Sequence, residues 1–152
     1  MTVVGSSSSG SAADQSADLH RSPLMPDLLI TALNRNLDKP AVYLGDTVLT
    51  ARQVRDEISR YIQALESKGL GKGSPVAVLA LNRPEVLFNM GAGMLLGCRT
   101  TPLHPMGSLD DHAYVLEDAG VETLVYDPEF FGERAAQLAE RVPGLKHLLA
   151  FE

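Results

Sequence analysis

The sequence predicts an α/β fold, a mostly parallel sheet flanked by helices and preceded by a helix and a β-hairpin. Three observations predict it. Apolar, strand-like runs begin near Pro75 (PVAVLAL), Arg99 (RTTPL), Glu122 (ETLVY) and Lys146 (KHLLA), about 24 residues apart, the length of one βα unit. Helical segments with start and stop signals separate them. The runs are apolar throughout rather than alternating, which calls for cover on both faces of the sheet. Strand, helix, strand in succession means parallel strands joined by right-handed crossovers.

Residues 1–22 are rich in Ser, Gly and Ala and bury too little apolar surface to offset the entropy of ordering, so we expect a disordered extension there and one α/β subdomain over 23–152. Pro26-Asp27 opens a helix carrying Leu28, Leu29, Ala32 and Leu33, which Lys39-Pro40 ends. Ala41–Leu44 and Thr47–Leu49 read as strands joined by the Gly45-Asp46 turn, a hairpin. Thr50 and Gln53 have capping-box spacing. After them Val54, Ile58, Tyr61, Ile62 and Leu65 form an apolar stripe on a 3.6-residue period, stopped by Gly69. Asn82 and Glu85 bracket Pro84 at the start of the next helix, and Gly97 is its stop. Ser108 and Asp111 cap a helix with Leu109, Ala113 and Leu116, closed by Gly120. Phe131, Ala135, Leu138 and Val142 make the last stripe, ended by Pro143-Gly144.

The helix over Val86–Cys98 carries no charge and Asn89 as its one polar side chain, so it offers no evident water-facing side. A helix apolar all round belongs inside something larger. The last strand is followed directly by Phe151-Glu152. Both features lead us to expect a longer parent chain.

With 13 Lys and Arg against 19 Asp and Glu, the net charge is -6, and no basic run exists to neutralise phosphates, which argues against a nucleic-acid binder. Cys98 stands alone in an apolar stretch, where a buried, inert thiol is expected; no disulfide framework or cysteine metal site follows. The amino terminus lacks the basic start and apolar run of a secretory signal, and Val86–Cys98 is too short to span a bilayer. A cytoplasmic protein is expected, with peripheral membrane attachment as the variant.

Gly91, Gly93 and Gly97 approach a dinucleotide fingerprint in spacing, but they fall inside a helix rather than at its entrance, so close packing is the preferred reading. No phosphate loop ending in Gly-Lys-Ser/Thr and no nucleophile elbow occur, and His20, His104, His112 and His147 show no metal-ligand spacing. His104, in Leu103-His104-Pro105, follows the carboxyl end of a parallel strand, where open α/β sheets place their ligands. Its competing reading is a turn histidine bonded to the following loop. Arg134, in the first turns of the final helix, has the reach to meet a phosphate; the competing reading is a surface pair with Glu133 or Glu140. Asp110-Asp111 at a helix start complement the helix dipole.

The residues in order resemble the start of the AMP-forming acyl-CoA synthetases, the adenylate-forming family of fatty-acid and aryl-acid CoA ligases, luciferases and peptide-synthetase adenylation domains. Pro26-Asp27-Leu28-Leu29 with Lys39-Pro40-Ala41-Val42 resembles the opening helix and strand. Gly45-Asp46 through Leu49-Thr50-Ala51-Arg52-Gln53-Val54 is similar to the hairpin and first helix, with Ala51 where an aromatic residue is usual. Lys68–Val78, Asn82-Arg83-Pro84-Glu85, Gly97 with Thr101-Pro102-Leu103-His104-Pro105, and Leu116-Glu117-Asp118-Ala119-Gly120 continue the match over about residues 24–150.

The resemblance implies the first subdomain of a ligase that activates a carboxylic acid, with a fatty acid preferred, using ATP and Mg2+, and passes the acyl group to CoA. It also implies that the phosphate loop, the magnesium-side glutamate, the ribose-binding aspartate and the catalytic lysine lie downstream. No catalytic or metal-binding residue is therefore expected here, no cofactor is expected to be held by this piece alone, and the isolated piece is expected to be inactive. Its partners would be the rest of the ligase chain, the acid, ATP and CoA. His104 and Arg134 are the candidate substrate- or CoA-binding residues. A self-contained nucleotide-binding module and an inactive short paralogue serving as an interaction domain are the alternatives.

Overall fold

The computed structural model describes residues 24–151; the extension expected over 1–22 lies outside them. Helix α1 (Met25–Arg35) opens the fold, with Asp27 Oδ2 accepting from the Leu24 N–H. Strands β1 (Pro40–Leu44) and β2 (Thr47–Thr50) pair antiparallel across Gly45-Asp46 as an isolated hairpin. Helix α2 (Ala51–Ser67) starts at the expected capping box, where Thr50 Oγ1 accepts from Gln53 N–H and Gln53 Oε1 from Thr50 N–H. Three βα units and a closing strand follow: β3 (Pro75–Leu79), α3 (Pro84–Leu96), β4 (Arg99–Pro102), α4 (Leu109–Asp118), β5 (Thr123–Tyr126), α5 (Pro128–Arg141) and β6 (His147–Ala150).

The four strands form one parallel sheet in the order β4-β3-β5-β6, with Val76 opposite Thr100 and Thr123 and with Thr123 opposite His147. Alternate side chains of a strand point to opposite faces, and the two faces of β3 carry different cores. Ala77 and Leu79 join Leu124 and the inner sides of α4 and α5 (Ala113, Leu116, Ala135, Leu138). Val76 and Val78 join Val125 and Phe151 beneath Val86 and Tyr61. A third cluster, Val54, Ile58, Leu65, Phe88 and Ala92, binds α2 to α3, and Leu29, Leu33, Val42 and Leu49 seal α1 and the hairpin onto it.

Three expectations change. Cover on both faces holds for the central strands β3 and β5, whereas β4 and β6 are edges with half or more of their positions exposed. At α3 the N-cap is Arg83, without a side-chain cap bond; Asn82 is exposed and stands one residue too early to cap, because Pro84 at N1 fixes the helix start. The apolar α3 also finds most of its neighbours within this chain. A Cβ on Gly91 would stand 2.9 Å from Ile58 Cδ1, and one on Gly93 2.8 Å from Thr100 Oγ1, so both glycines serve close packing. Leu87 and Met94 are the residues of α3 left exposed. Gly97 ends the helix at φ 71°, a left-handed conformation that side chains disfavour.

Candidate functional site

Parallel strands point their carboxyl ends to one edge, and a ligand crevice opens where successive crossovers leave a strand in opposite directions. In the order β4-β3-β5-β6 that point lies between β3 and β5. The chain fills it with its own side chains. Arg83, after β3, places Nη1 2.9 Å from Asp127 Oδ1 and Nε 2.8 Å from Glu85 Oε2, and its guanidinium lies 5.4 Å from the centre of the Phe151 ring. Asp127 is only 2% exposed; it also caps α5 by accepting from the Glu129 N–H. The Arg83 hydrogen bond holds the Glu85 carboxyl below the usual carboxylate range, partial burial opposing it. The same bond raises the Arg83 pKa, again against burial. An arginine held by two carboxylates and an aromatic face has its charge already satisfied. At the switch point the sheet is closed rather than open to an anion.

Beside it, beyond β4, lie both sequence candidates. His104 is exposed, and its Nδ1 accepts from the Met106 N–H at 3.1 Å. The turn-histidine bond is therefore present, while the rest of the imidazole faces water. Arg134 pairs with neither Glu133 nor Glu140: its Nη1 donates to Gly107 O at 3.0 Å and meets His112 Nδ1 at 3.1 Å. A guanidinium only donates, so Nδ1 is the acceptor and His112 is the Nε2–H tautomer. That Nε2–H donates to His104 O at 2.8 Å. The two candidates are thus brought together through the buried ring of His112, which the sequence reading passed over. Gly107 makes this approach possible, since a Cβ there would stand 2.6 Å from His112 Nε2. Ser108 then caps α4 by accepting from Asp111 N–H, and Ser108 N–H and Oγ–H donate to Asp111 Oδ2, which lowers the Asp111 pKa. Asp110-Asp111 have the helix-start role expected, with Asp110 also paired to Arg141.

His112 and Asp111 point to different sides of α4, one buried and one exposed. Asp127 had a sequence signal, Asp-Pro at a helix entrance, whereas nothing local to His112 or Arg83 marks a partner so distant along the chain. Cys98 is half-buried; its Sγ lies 3.4 Å from Gly71 O, and burial pushes its thiol pKa up, as suits an unreactive cysteine. No trio of His, Cys, Asp or Glu among the described residues is placed to hold a metal ion.

This is the parallel sheet of an α/β subdomain, covered on both faces at its central strands, with a braced loop at its carboxyl edge. The sequence pattern of the AMP-binding enzyme family matches residues 29–151, and the chain belongs to that family. It is 52% identical, over 145 residues, to a medium/long-chain-fatty-acid–CoA ligase of Mycobacterium tuberculosis, covering 93% of this chain and 25% of that protein. A 2-succinylbenzoate–CoA ligase of Bacillus licheniformis is 33% identical over 106 residues, 69% of this chain and 22% of that protein. The crystal structure of an anthranilate CoA ligase in complex with anthranoyl-AMP superposes with a TM-score of 0.76 at 24% identity, over 83% of this chain and 24% of that one, a likeness of fold. The chain therefore spans about a quarter of the length of the curated relatives it matches.

Proposed function

We propose that this chain is the first subdomain of an acid–thiol ligase that activates a medium- or long-chain fatty acid with ATP to an acyl-adenylate and passes the acyl group to CoA. The observation that carries this reading is the 52% identity, over 93% of the chain, to a ligase named for that substrate class. In such a reaction a carboxylate oxygen attacks the α-phosphate of ATP, pyrophosphate leaves, and the CoA thiolate then displaces AMP from the acyl carbon. Mg2+ would offset the phosphate charge; the carboxylates described here do not fit it, so no step is assigned to it through these residues.

The part of the work given to this piece is architectural. It supplies four parallel strands and a rigid loop at their carboxyl edge, and the chemistry belongs to residues beyond it. His104 and Arg134 are proposed as contacts to the acid or to CoA. His104 has its imidazole in solvent, and Arg134 uses Nη1 within the fold and keeps further N–H donors. A cytoplasmic site fits this chemistry, and no helix among the described residues is long and apolar enough to cross a membrane. Nothing specific favours a self-contained nucleotide module, whose switch-point crevice would have to stand open, or a short interaction paralogue.

The test is ATP–pyrophosphate exchange driven by fatty acids of increasing chain length. The longer ligase chain exchanges and the 152-residue chain does not; exchange by the short chain overturns the proposal. In the longer chain, Arg134→Ala and His104→Ala are expected to raise the KM for CoA or the acid, and unchanged KM values for both remove them as contacts.

A further inference from the structure

Helix α4 packs Leu109, Ala113 and Leu116 into the core with Leu79 and Leu124, and position 112 lies on the same helical face. An apolar side chain would complete that face. The chain places a histidine there instead, 2% exposed and bonded at both ring nitrogens. Nε2–H donates to His104 O at 2.8 Å, and Nδ1 accepts from Arg134 Nη1 at 3.1 Å. In a neutral imidazole one nitrogen donates and the other accepts, so the bond at one sets the role of the other. A carbonyl oxygen only accepts, so His104 O keeps the proton on Nε2 and leaves the Nδ1 lone pair to Arg134. His104 O also accepts from the Gly107 N–H at 2.9 Å, and Gly107 O accepts from Arg134 Nη1 at 3.0 Å. Both N–H groups of Nη1 are thereby used, one on the ring and one on the loop. The three on Nε and Nη2 have no hydrogen-bond partner among the described residues, and Arg134 is half-buried.

We infer that His112 is a positioning residue: its Nδ1 aims the Arg134 guanidinium so that Nε and Nη2 are presented to a ligand, and His104 O holds the ring in the tautomer that can do so. The inference rests on the proposed contact of Arg134 with the acid or CoA, and deepens it. A free arginine side chain has many rotamers and loses them on binding; tethering one of its nitrogens in advance removes part of that cost. The donors left over suit an anionic oxygen, which the acid offers as a carboxylate and CoA as phosphates. Packing by itself accounts poorly for the residue, since a leucine would fill the same face without burying two polar nitrogens.

Two substitutions separate the two nitrogens. His112→Asn sets an amide oxygen near the place of Nδ1 and keeps the acceptor for Arg134. His112→Gln sets an amide N–H near the place of Nε2, keeps the donor to His104 O, and offers Arg134 no acceptor. Each loses one buried bond, so a merely structural role would make the two alike. In the longer ligase proposed above, Arg134→Ala identifies the ligand by the KM it raises, that of the acid or that of CoA. His112→Gln is expected to raise the same KM about threefold or more with kcat within about twofold, and His112→Asn to leave both near the unsubstituted values. Combined with Arg134→Ala, His112→Gln is expected to raise that KM no further, because the residue it acts through is gone. Equal KM effects of the two substitutions, or an effect of His112→Gln that persists without Arg134, overturn the inference. So does an Arg134→Ala variant whose KM values for acid and CoA are both unchanged.

A second readout needs no activity. A guanidinium held at Nη1 rotates slowly, so Arg134 in the 152-residue chain is expected to show separate Nη signals in nitrogen-15 magnetic resonance. Their exchange is expected to quicken in His112→Gln and not in His112→Asn; averaged Nη signals in the unsubstituted chain overturn the inference. A longer chain that forms no acyl-CoA sinks the ligase reading, while the Nη signals still report whether His112 holds Arg134, so the two failures are told apart.

Discussion

His112 does most to hold the loop after β4. It is buried, accepts from Arg134 and donates to His104 O, so one ring ties residues from α4, α5 and the loop. Gly107→Ala forces a methyl group to 2.6 Å from His112 Nε2, a contact with a packed ring that has little room to retreat. We expect a loss of about 1–3 kcal/mol, combining overpacking with a broken buried bond, read from the urea midpoint. His112 and Arg134 share the network, so a double-mutant cycle of His112→Phe and Arg134→Met is expected to be non-additive by about 0.5 kcal/mol or more. At Asp127, replacement by Ala removes both a helix cap and the Arg83 pair. The expected cost is about 2–3 kcal/mol, below that of a fully buried pair because Arg83 keeps 26% of its side chain exposed. Asp127→Asn, which keeps the cap acceptor, is expected to cost less.

Glu85 gives a pH signature. Its pKa is lowered in the folded state by the Arg83 bond, so the stabilisation is fully present above the unfolded carboxylate value, about 4.3. It is lost as pH falls through the lower folded pKa. Glu85→Gln is therefore expected to flatten the acid limb of a stability–pH curve below about pH 4.3 and to leave its slope near neutral pH unchanged.

Helices α2 and α4 begin at reciprocal capping boxes, Thr50 with Gln53 and Ser108 with Asp111. Thr50→Ala and Ser108→Ala are each expected to cost about 1 kcal/mol in a denaturant melt. The end of α3 is set differently. Gly97 holds φ 71°, so Gly97→Ala incurs the left-handed penalty of about 1–2 kcal/mol whatever space surrounds it. These start and stop signals were legible because caps act within one turn of backbone; the same locality explains the one miss, Asn82, where Pro84 decided the first helical residue instead. The 3.6-residue stripe of α2 was equally readable: Val54, Ile58 and Leu65 are buried, and Tyr61 and Ile62 flank them.

For the molecule as a whole, the doubly wound sheet presents a carboxyl edge whose switch-point crevice is occupied by the Arg83–Asp127 pair. Opening that edge to a ligand would require breaking a pair that is hydrogen-bonded on both sides. A small domain that leaves a cleft of about 700 Å³ and a free strand edge should also be less stable alone than within a longer chain. The unfolding midpoint of the described subdomain is expected to rise when it is carried in the longer ligase proposed above; an equal midpoint in both chains would contradict this.

Strings of adjacent residues were enough to establish the elements, their order, the parallel class of the sheet and the family, because caps, turns, periodicity and family motifs are all local. They also singled out His104 and Arg134, through their places after a strand and on a helix. Three-dimensional packing alone established that α3 is packed largely within this chain, that β4 and β6 are edges, and that Arg134 reaches Gly107 and His112 rather than a neighbouring glutamate. Those facts depend on which distant residues the crossovers bring within hydrogen-bond reach of one another, and side-chain spacing along one helix carries no record of that.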